Sequence, residues 1–156
     1  MIAIASDHAG FELKNRITEH FQKQNIPYMD LGCHSTEAVD FPHYAKNVAA
    51  AIKSGQSHIG ILVCGTGNGI AIAANKISGI RAAVCTDTYS VKMARQHNDA
   101  NILALGARVI GHGVALELVD VFRTTTFDSS NSGGRHAQRL AQIKELEDLQ
   151  KNGGSL

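Results

Sequence analysis

Tryptophan is absent from this chain of 156 residues, prolines number two, and aromatic residues make up only 5% of the total. So thin a supply of flat rings argues against a surface on which single-stranded bases would stack. An excess of one charge is missing too: 15 Lys and Arg stand against 14 Asp and Glu, a net of +1. That balance gives no bulk attraction to nucleic acid or to a membrane surface. No apolar run approaches the ~20 residues of a membrane span. Asp7 and His8 cut the first apolar segment short, so no cleavable leader is expected. Three cysteines, Cys33, Cys64 and Cys85, cannot all pair within one chain, and a reducing cytoplasm is the expected location.

What is present is an ordinary globular composition, 44% hydrophobic and 19% charged. The length suits one domain, residues 1–150, able to bury a core without metal or disulfide staples, followed by a frayed tail at 151–156. Short apolar runs alternate with helical patterns. Met1–Ser6, Tyr28–Leu31, Ile59–Val63, Arg81–Cys85 and Ile102–Leu105 read as strands. Between and after them, Phe11, Leu13, Ile17 and Phe21 line one helical face, Pro42 opens a second helix, and Ile70–Asn75, Tyr89–Gln96 and Val114–Phe122 continue the series. The expected fold is therefore α/β. Three αβα layers would surround a five-stranded parallel sheet, Rossmann-like and flavodoxin-like, with strand order 2-1-3-4-5. An extra C-terminal helix, about Arg135 to Gln150, follows a Ser/Asn/Gly-rich joint at Ser129–Gly134. Its single apolar stripe would pack on its own domain or on a neighbouring subunit.

Ligands in such sheets bind beyond the carboxyl ends of the strands where the order reverses, here between strands 1 and 3. Strand 1 ends in Asp7-His8 and strand 3 runs into Cys64-Gly65-Thr66-Gly67-Asn68-Gly69. A thiol there sits beside free amides and a helix start, which favour an anion, including a thiolate. The loop offers both a base or nucleophile and an anion cradle. It is neither a G-x-G-x-x-G dinucleotide fingerprint nor a P-loop, since Ile70 follows Gly69 where a P-loop has Lys. Cys85 reads as a buried hydrophobe and Cys33 as incidental in a polar loop. His97, followed by Asn98 and Asp99, is placed to move protons near neutral pH or simply to end a helix. Arg135 and Arg139 are four apart on one helical face, which suits either a bidentate clamp for phosphate or simply a solvated face, and Arg108 is a third candidate for the same anion. His8, Cys64 and Asp7 give only a weak metal signal, and the remaining histidines show no ligand spacing.

Asp7-His8-Ala9-Gly10, Asp40-Phe41-Pro42-His43-Tyr44-Ala45, the Cys64–Gly69 loop, Ala73-Ala74-Asn75-Lys76, Gly79-Ile80-Arg81-Ala82 and Arg95-Gln96-His97-Asn98-Asp99 occur in one order. Together they resemble the ribose-5-phosphate isomerase B family, which includes galactose-6-phosphate isomerase subunits, and the likeness runs from Met1 to about Leu149. The resemblance implies a cytoplasmic enzyme of the pentose phosphate pathway. It would interconvert ribose 5-phosphate and ribulose 5-phosphate without metal or organic cofactor. It makes Cys64 the base that moves a proton between C1 and C2, and it gives the Gly65–Gly69 amides, with Asn68, the enediolate oxygens. Thr66 and His97 would open the furanose ring. Asp7, His8 and Asn98 would contact sugar or phosphate, and Arg108, Arg135 and Arg139 would bind phosphate. It implies a homodimer, or a tetramer of it, with sites shared between subunits. One branch of the family replaces the cysteine by a carboxylate in the glycine loop, which this chain lacks. Phe41 stands where some members carry tyrosine, which bears on substrate preference. Three readings compete: a six-carbon substrate such as galactose or allose 6-phosphate, a nucleotide-binding module of flavodoxin type, which leaves Cys64, His97 and the arginine pair unexplained, and a metal-dependent hydrolase.

Overall fold

The computed structural model describes residues 1–130 and 134–151. The middle of the expected joint and residues 152–156 of the expected tail lie outside the described residues. Five strands form one parallel sheet: β1 (Ile2–Ser6), β2 (Tyr28–Asp30), β3 (Ile59–Cys64), β4 (Ala82–Val84) and β5 (Ile102–Gly106). Six helices accompany them: α1 (Phe11–Lys23), α2 (Phe41–Lys53), α3 (Asn68–Ala74), α4 (Thr88–Asn98), α5 (His112–Thr124) and α6 (Arg135–Lys151), with a 3₁₀ turn at His8–Gly10.

Period-two alternation sorts the strands' side chains between two cores. Ile2, Ile4, Ile61, Val63, Leu103 and Leu105 meet Leu13, Ile17 and Phe21 of α1, Val91 of α4 and Leu118 and Phe122 of α5. Ala3, Ala5, Leu62, Cys64 and Ala104 face the other way, towards Val48 of α2 and Ile70 of α3. The alanines let α2 and α3 approach the sheet closely, and Cys64 lies on that side. All five residues of β1 and of β5 are buried, as expected for strands covered on both faces.

The strand order is β2-β1-β3-β5-β4, which corrects the expected 2-1-3-4-5. The reason is burial: β5 is apolar throughout and takes the interior position, whereas β4 is three residues long with Val84 39% exposed and takes the edge. The exchange sets Gly106 opposite Cys64 in the register, while Ser6 pairs with Val63. β1 and β3 remain neighbours, so the expected crevice persists. β5, rather than β4, forms its other wall.

Lys14 of α1 is wholly buried and its ammonium meets the Asp30 carboxylate at the end of β2. The other Asp30 oxygen accepts the Gly32 N–H at 3.0 Å, so the pair pins the turn that follows. Cys33, in that turn, is 3% exposed and donates to the Ser35 carbonyl at 3.2 Å, so the thiol is part of the loop's packing. α6 reaches Lys151 and is tied to the β4 side by Glu147, whose carboxylate accepts from the Ser78 hydroxyl and the Gly79 N–H, each at 2.9 Å. Among the described residues no helix is long and apolar enough to cross a membrane.

Candidate active site

β1 and β3 run side by side and end together, so the residues that follow them converge. The Asp7 N–H donates to the Val63 carbonyl at 3.1 Å, and the Asp7 carboxylate caps the next turn by accepting the Gly10 N–H at 2.9 Å. That turn hugs β3 so closely that a Cβ on Gly10 would lie 2.5 Å from the Val63 carbonyl oxygen. Only glycine fits there, and its absence of a side chain is what brings His8 beside the Cys64 loop. Nδ1 of His8 accepts the Val39 N–H at 3.2 Å. The neutral ring must then carry its proton on Nε2, which makes that nitrogen a donor.

Cys64 is the last residue of β3 and 5% exposed. Its Sγ accepts the Gly67 N–H at 3.1 Å, and Thr66 Oγ1 accepts the Asn68 N–H at 3.3 Å. The sulfur contact depends on the backbone of Gly67, which is left-handed at φ 82°. A side chain would be strained there, and its Cβ would come within 3.1 Å of the Leu105 carbonyl carbon. Because α3 has only seven residues, direct donation from this amide outweighs any macrodipole.

The segment after β5 closes the other wall. The Ala107 N–H donates to the Cys64 carbonyl at 2.9 Å and the Arg108 N–H to the Gly65 carbonyl at 3.0 Å. The Arg108 side chain lies over Gly65, with Nη1 3.6 Å from where a Cβ would stand, and Ala9 is 3.7 Å from the same point. A guanidinium thus crosses the glycine loop towards the turn that holds His8. The Phe41 ring packs on Gly69 from the α2 side, 3.1 Å from its Cβ position.

Asp7, His8, the Cys64–Gly69 loop and Arg108 therefore meet in one place. His97, Asn98, Arg135 and Arg139 do not join them. His97 and Asn98 end α4, which leads into the first residue of β5, so they sit at the opposite edge of the sheet. The five-residue β5 alone spans about 15 Å between the two edges. There the His97 ring stacks on His136 of α6, with centroids 4.3 Å apart and planes 9° from parallel. Arg135 and Arg139 are exposed on the same helix. Sequence reasoning set His136 beside the arginines but had no signal for this stack, nor for the Val39 amide that fixes His8.

The third cysteine behaves differently from Cys64. Burial, and secondarily the charge of Asp87, pushes the Cys85 thiol up to about 11, which suits its place in the core. Among the described residues, no three His, Cys, Asp or Glu side chains are grouped to hold a metal ion.

The ribose/galactose isomerase family model matches residues 2–143. The chain belongs to the ribose/galactose isomerase family. Ribose-5-phosphate isomerase B of Escherichia coli K12 is 47% identical over 146 residues, 94% of this chain and 95% of that protein. The solved structure of ribose-5-phosphate isomerase B from Clostridium thermocellum is 50% identical, covers 94% of this chain and 97% of that one, and superposes with a TM-score of 0.90. D-erythrulose-4-phosphate isomerase of Pectobacterium atrosepticum is 42% identical over 97% of both chains. This member of the family is a sugar-phosphate isomerase. Its five-stranded parallel sheet, with helices on both faces, is the fold of its relatives.

Proposed function

We propose that the substrate pair is D-ribose 5-phosphate and D-ribulose 5-phosphate, interconverted through an enediolate without a metal. The observation that carries this is the Cys64 sulfur held by the Gly67 amide in the same crevice as Asp7, His8 and Arg108. Isomerisation takes a proton from C2 of the aldose and returns it to C1, so one base on one face of the sugar suffices. Cys64 is that base. The negative charge that develops on O1 and O2 needs donors already in place, and we assign that role to the Gly65–Gly69 loop, in which the Gly67 amide serves the sulfur and the Asn68 amide the Thr66 hydroxyl before substrate arrives. Thr66 and His97 open the furanose. Asp7, His8 and Asn98 hold the sugar, His8 through its Nε2 proton, and Arg108, Arg135 and Arg139 take the phosphate.

The site is completed by a second copy of the chain. His97, Asn98, Arg135 and Arg139 stand at the far edge of their own sheet, so they reach Cys64 only from a partner. Exposed apolar residues support such a contact: Ile72 of α3 at 61%, Tyr89 in the first turn of α4 at 72% and Val109 after β5 at 55%. Val84 and Val109 abut Gly67 and Gly106 on either side of the loop. A homodimer, or a tetramer built from it, buries this patch, and a cytoplasmic enzyme of pentose phosphate metabolism is the corresponding cellular role.

Two assays test this reading. In the first, kcat/KM is compared for ribose 5-phosphate, the four-carbon aldose phosphate and six-carbon aldose phosphates, with and without chelator. Highest turnover on ribose 5-phosphate, unaffected by chelator, is expected; a preference for another chain length would reassign the substrate. In the second, Cys64→Ala and Arg139→Ala proteins, each inactive, are mixed under subunit exchange. Random pairing in a two-fold dimer restores about one quarter of wild-type sites. No recovery despite demonstrated exchange would place the arginine and the cysteine of one site in the same chain.

A further inference from the structure

His136 is a buried group that the proposed chemistry leaves unused. It lies one residue from Arg135, in the first turn of α6, and is only 7% exposed. Its Nδ1 is buried and meets no hydrogen-bond partner among the described residues. A buried imidazole nitrogen without a partner is costly, so that nitrogen does not hold the ring in place. The face-to-face contact with His97 does, at 4.3 Å and 9°. His97 in turn is half-buried at the end of α4, where the stack covers one face of its ring.

We propose that His136 is a positioning residue: its ring fixes the plane of His97 and couples that imidazole to the arginines of α6. This rests on the assignment of His97 to ring opening. In that step the C1–ring-oxygen bond breaks, C1–O1 becomes a carbonyl, and one proton passes from the anomeric hydroxyl to the ring oxygen, with no change of oxidation state. The proton transfer is sensitive to where the imidazole nitrogens point. Arg135 adjoins His136 and Arg139 lies about one turn further along α6, so the stack makes one rigid unit of the ring-opening group and the phosphate grip. The distance between them sets the length of sugar that is held correctly at both ends.

The test measures kcat and KM on ribose 5-phosphate for the full-length wild-type protein and for His136→Ala, His136→Phe, His97→Ala and the double alanine variant. His136→Ala is expected to lower kcat by about ten- to a hundredfold with little change in KM. His136→Phe, which keeps a flat face, should recover most of that loss. Because the ring acts through its neighbour, His136→Ala should add little to the defect of His97→Ala. His136→Leu, which fills the space without a flat face, replaces the alanine variant if alanine does not fold, and the same loss is expected. Unchanged turnover in the alanine or leucine variant, no rescue by phenylalanine, or losses that add in full would each overturn the proposal. Full activity of His97→Ala would instead overturn the ring-opening assignment, and the proposal with it.

Discussion

Replacing Gly67 by alanine would separate what its backbone does for the fold from what its amide does for Cys64. At φ 82° an L-residue costs about 1–2 kcal/mol. The new Cβ would also stand 3.1 Å from the Leu105 carbonyl carbon and 3.2 Å from both the Gly106 nitrogen and Val84 Cγ1. Two of those three are backbone atoms of the sheet and yield little, so the total loss comes to about 2–3 kcal/mol. For a chain of this size that lowers Tm by about 4–12 °C. Relief of the strain would draw the amide away from the sulfur, which it now meets at 3.1 Å. A hydrogen bond to a charged group contributes about 1.5–3 kcal/mol, so kcat should fall a further 10–150-fold, about the same energy expressed as rate. Gly79→Ala is the control. Its φ is 84°, nothing lies within 4 Å of the added Cβ, and it is remote from Cys64. It should lose about 1–2 kcal/mol of stability and keep its kcat. Thermal unfolding and steady-state kinetics on the three proteins decide the matter. If Gly67→Ala is destabilised but turns over at the wild-type rate, as Gly79→Ala is expected to, the Gly67 amide does nothing for the sulfur.

Other consequences can be checked with simple measurements. Lys14→Met strands Asp30, but that carboxylate is 28% exposed and water replaces part of the ion pair. The loss in urea denaturation should therefore be about 1–2 kcal/mol, below the roughly 3–5 of a fully buried pair. Cys85, pushed up to about 11, is a neutral thiol at pH 8 and should resist iodoacetamide until the protein is unfolded, as mass spectrometry of native and denatured samples would report. Asp87 caps α4, and hydrogen bonds from the Ser90 backbone and then the Ser90 hydroxyl hold its carboxyl below the ordinary range. Its folded value lies beneath its unfolded one, so its stabilising contribution is present above about pH 4 and is lost as pH falls through the folded value. Asp87→Asn should accordingly have a shallower acid-side stability profile than wild type, and identical profiles would contradict the capping role.

Much of the fold was legible because strong local signals agreed. The runs at Ile2–Ser6, Ile59–Cys64 and Ile102–Gly106 are apolar on both faces and became the three central strands. Strand order was not legible beyond β3. Propensity says little about whether Ala82–Val84 or Ile102–Gly106 pairs with β3; burial of the longer run decides it. The Cys64 half of the site was legible for a related reason: strand ends are local features, and adjacent parallel strands bring them together. The far-edge residues of the proposed site were legible as residues but not as a place. His97 and Arg139 are reactive types at helical positions, and nothing in spacing alone says that their edge of the sheet is remote from Cys64 in the same chain. The His97–His136 stack joins residues 39 apart on helices linked through a sheet strand and α5, a contact without any periodic trace. The burial of Cys33 was not legible for the same reason, because its neighbours in sequence are polar while it packs against Ser6 at the end of β1.

The central claim is that the Cys64 sulfur moves the proton. It is tested most directly by following ribose 5-phosphate conversion with wild-type protein and Cys64→Ala at matched, verified folding. The account predicts a fall in kcat of about a thousandfold or more with only modest change in KM, because the sulfur acts on the reacting carbon rather than on the phosphate. An alanine variant that turns over at the wild-type rate would contradict it.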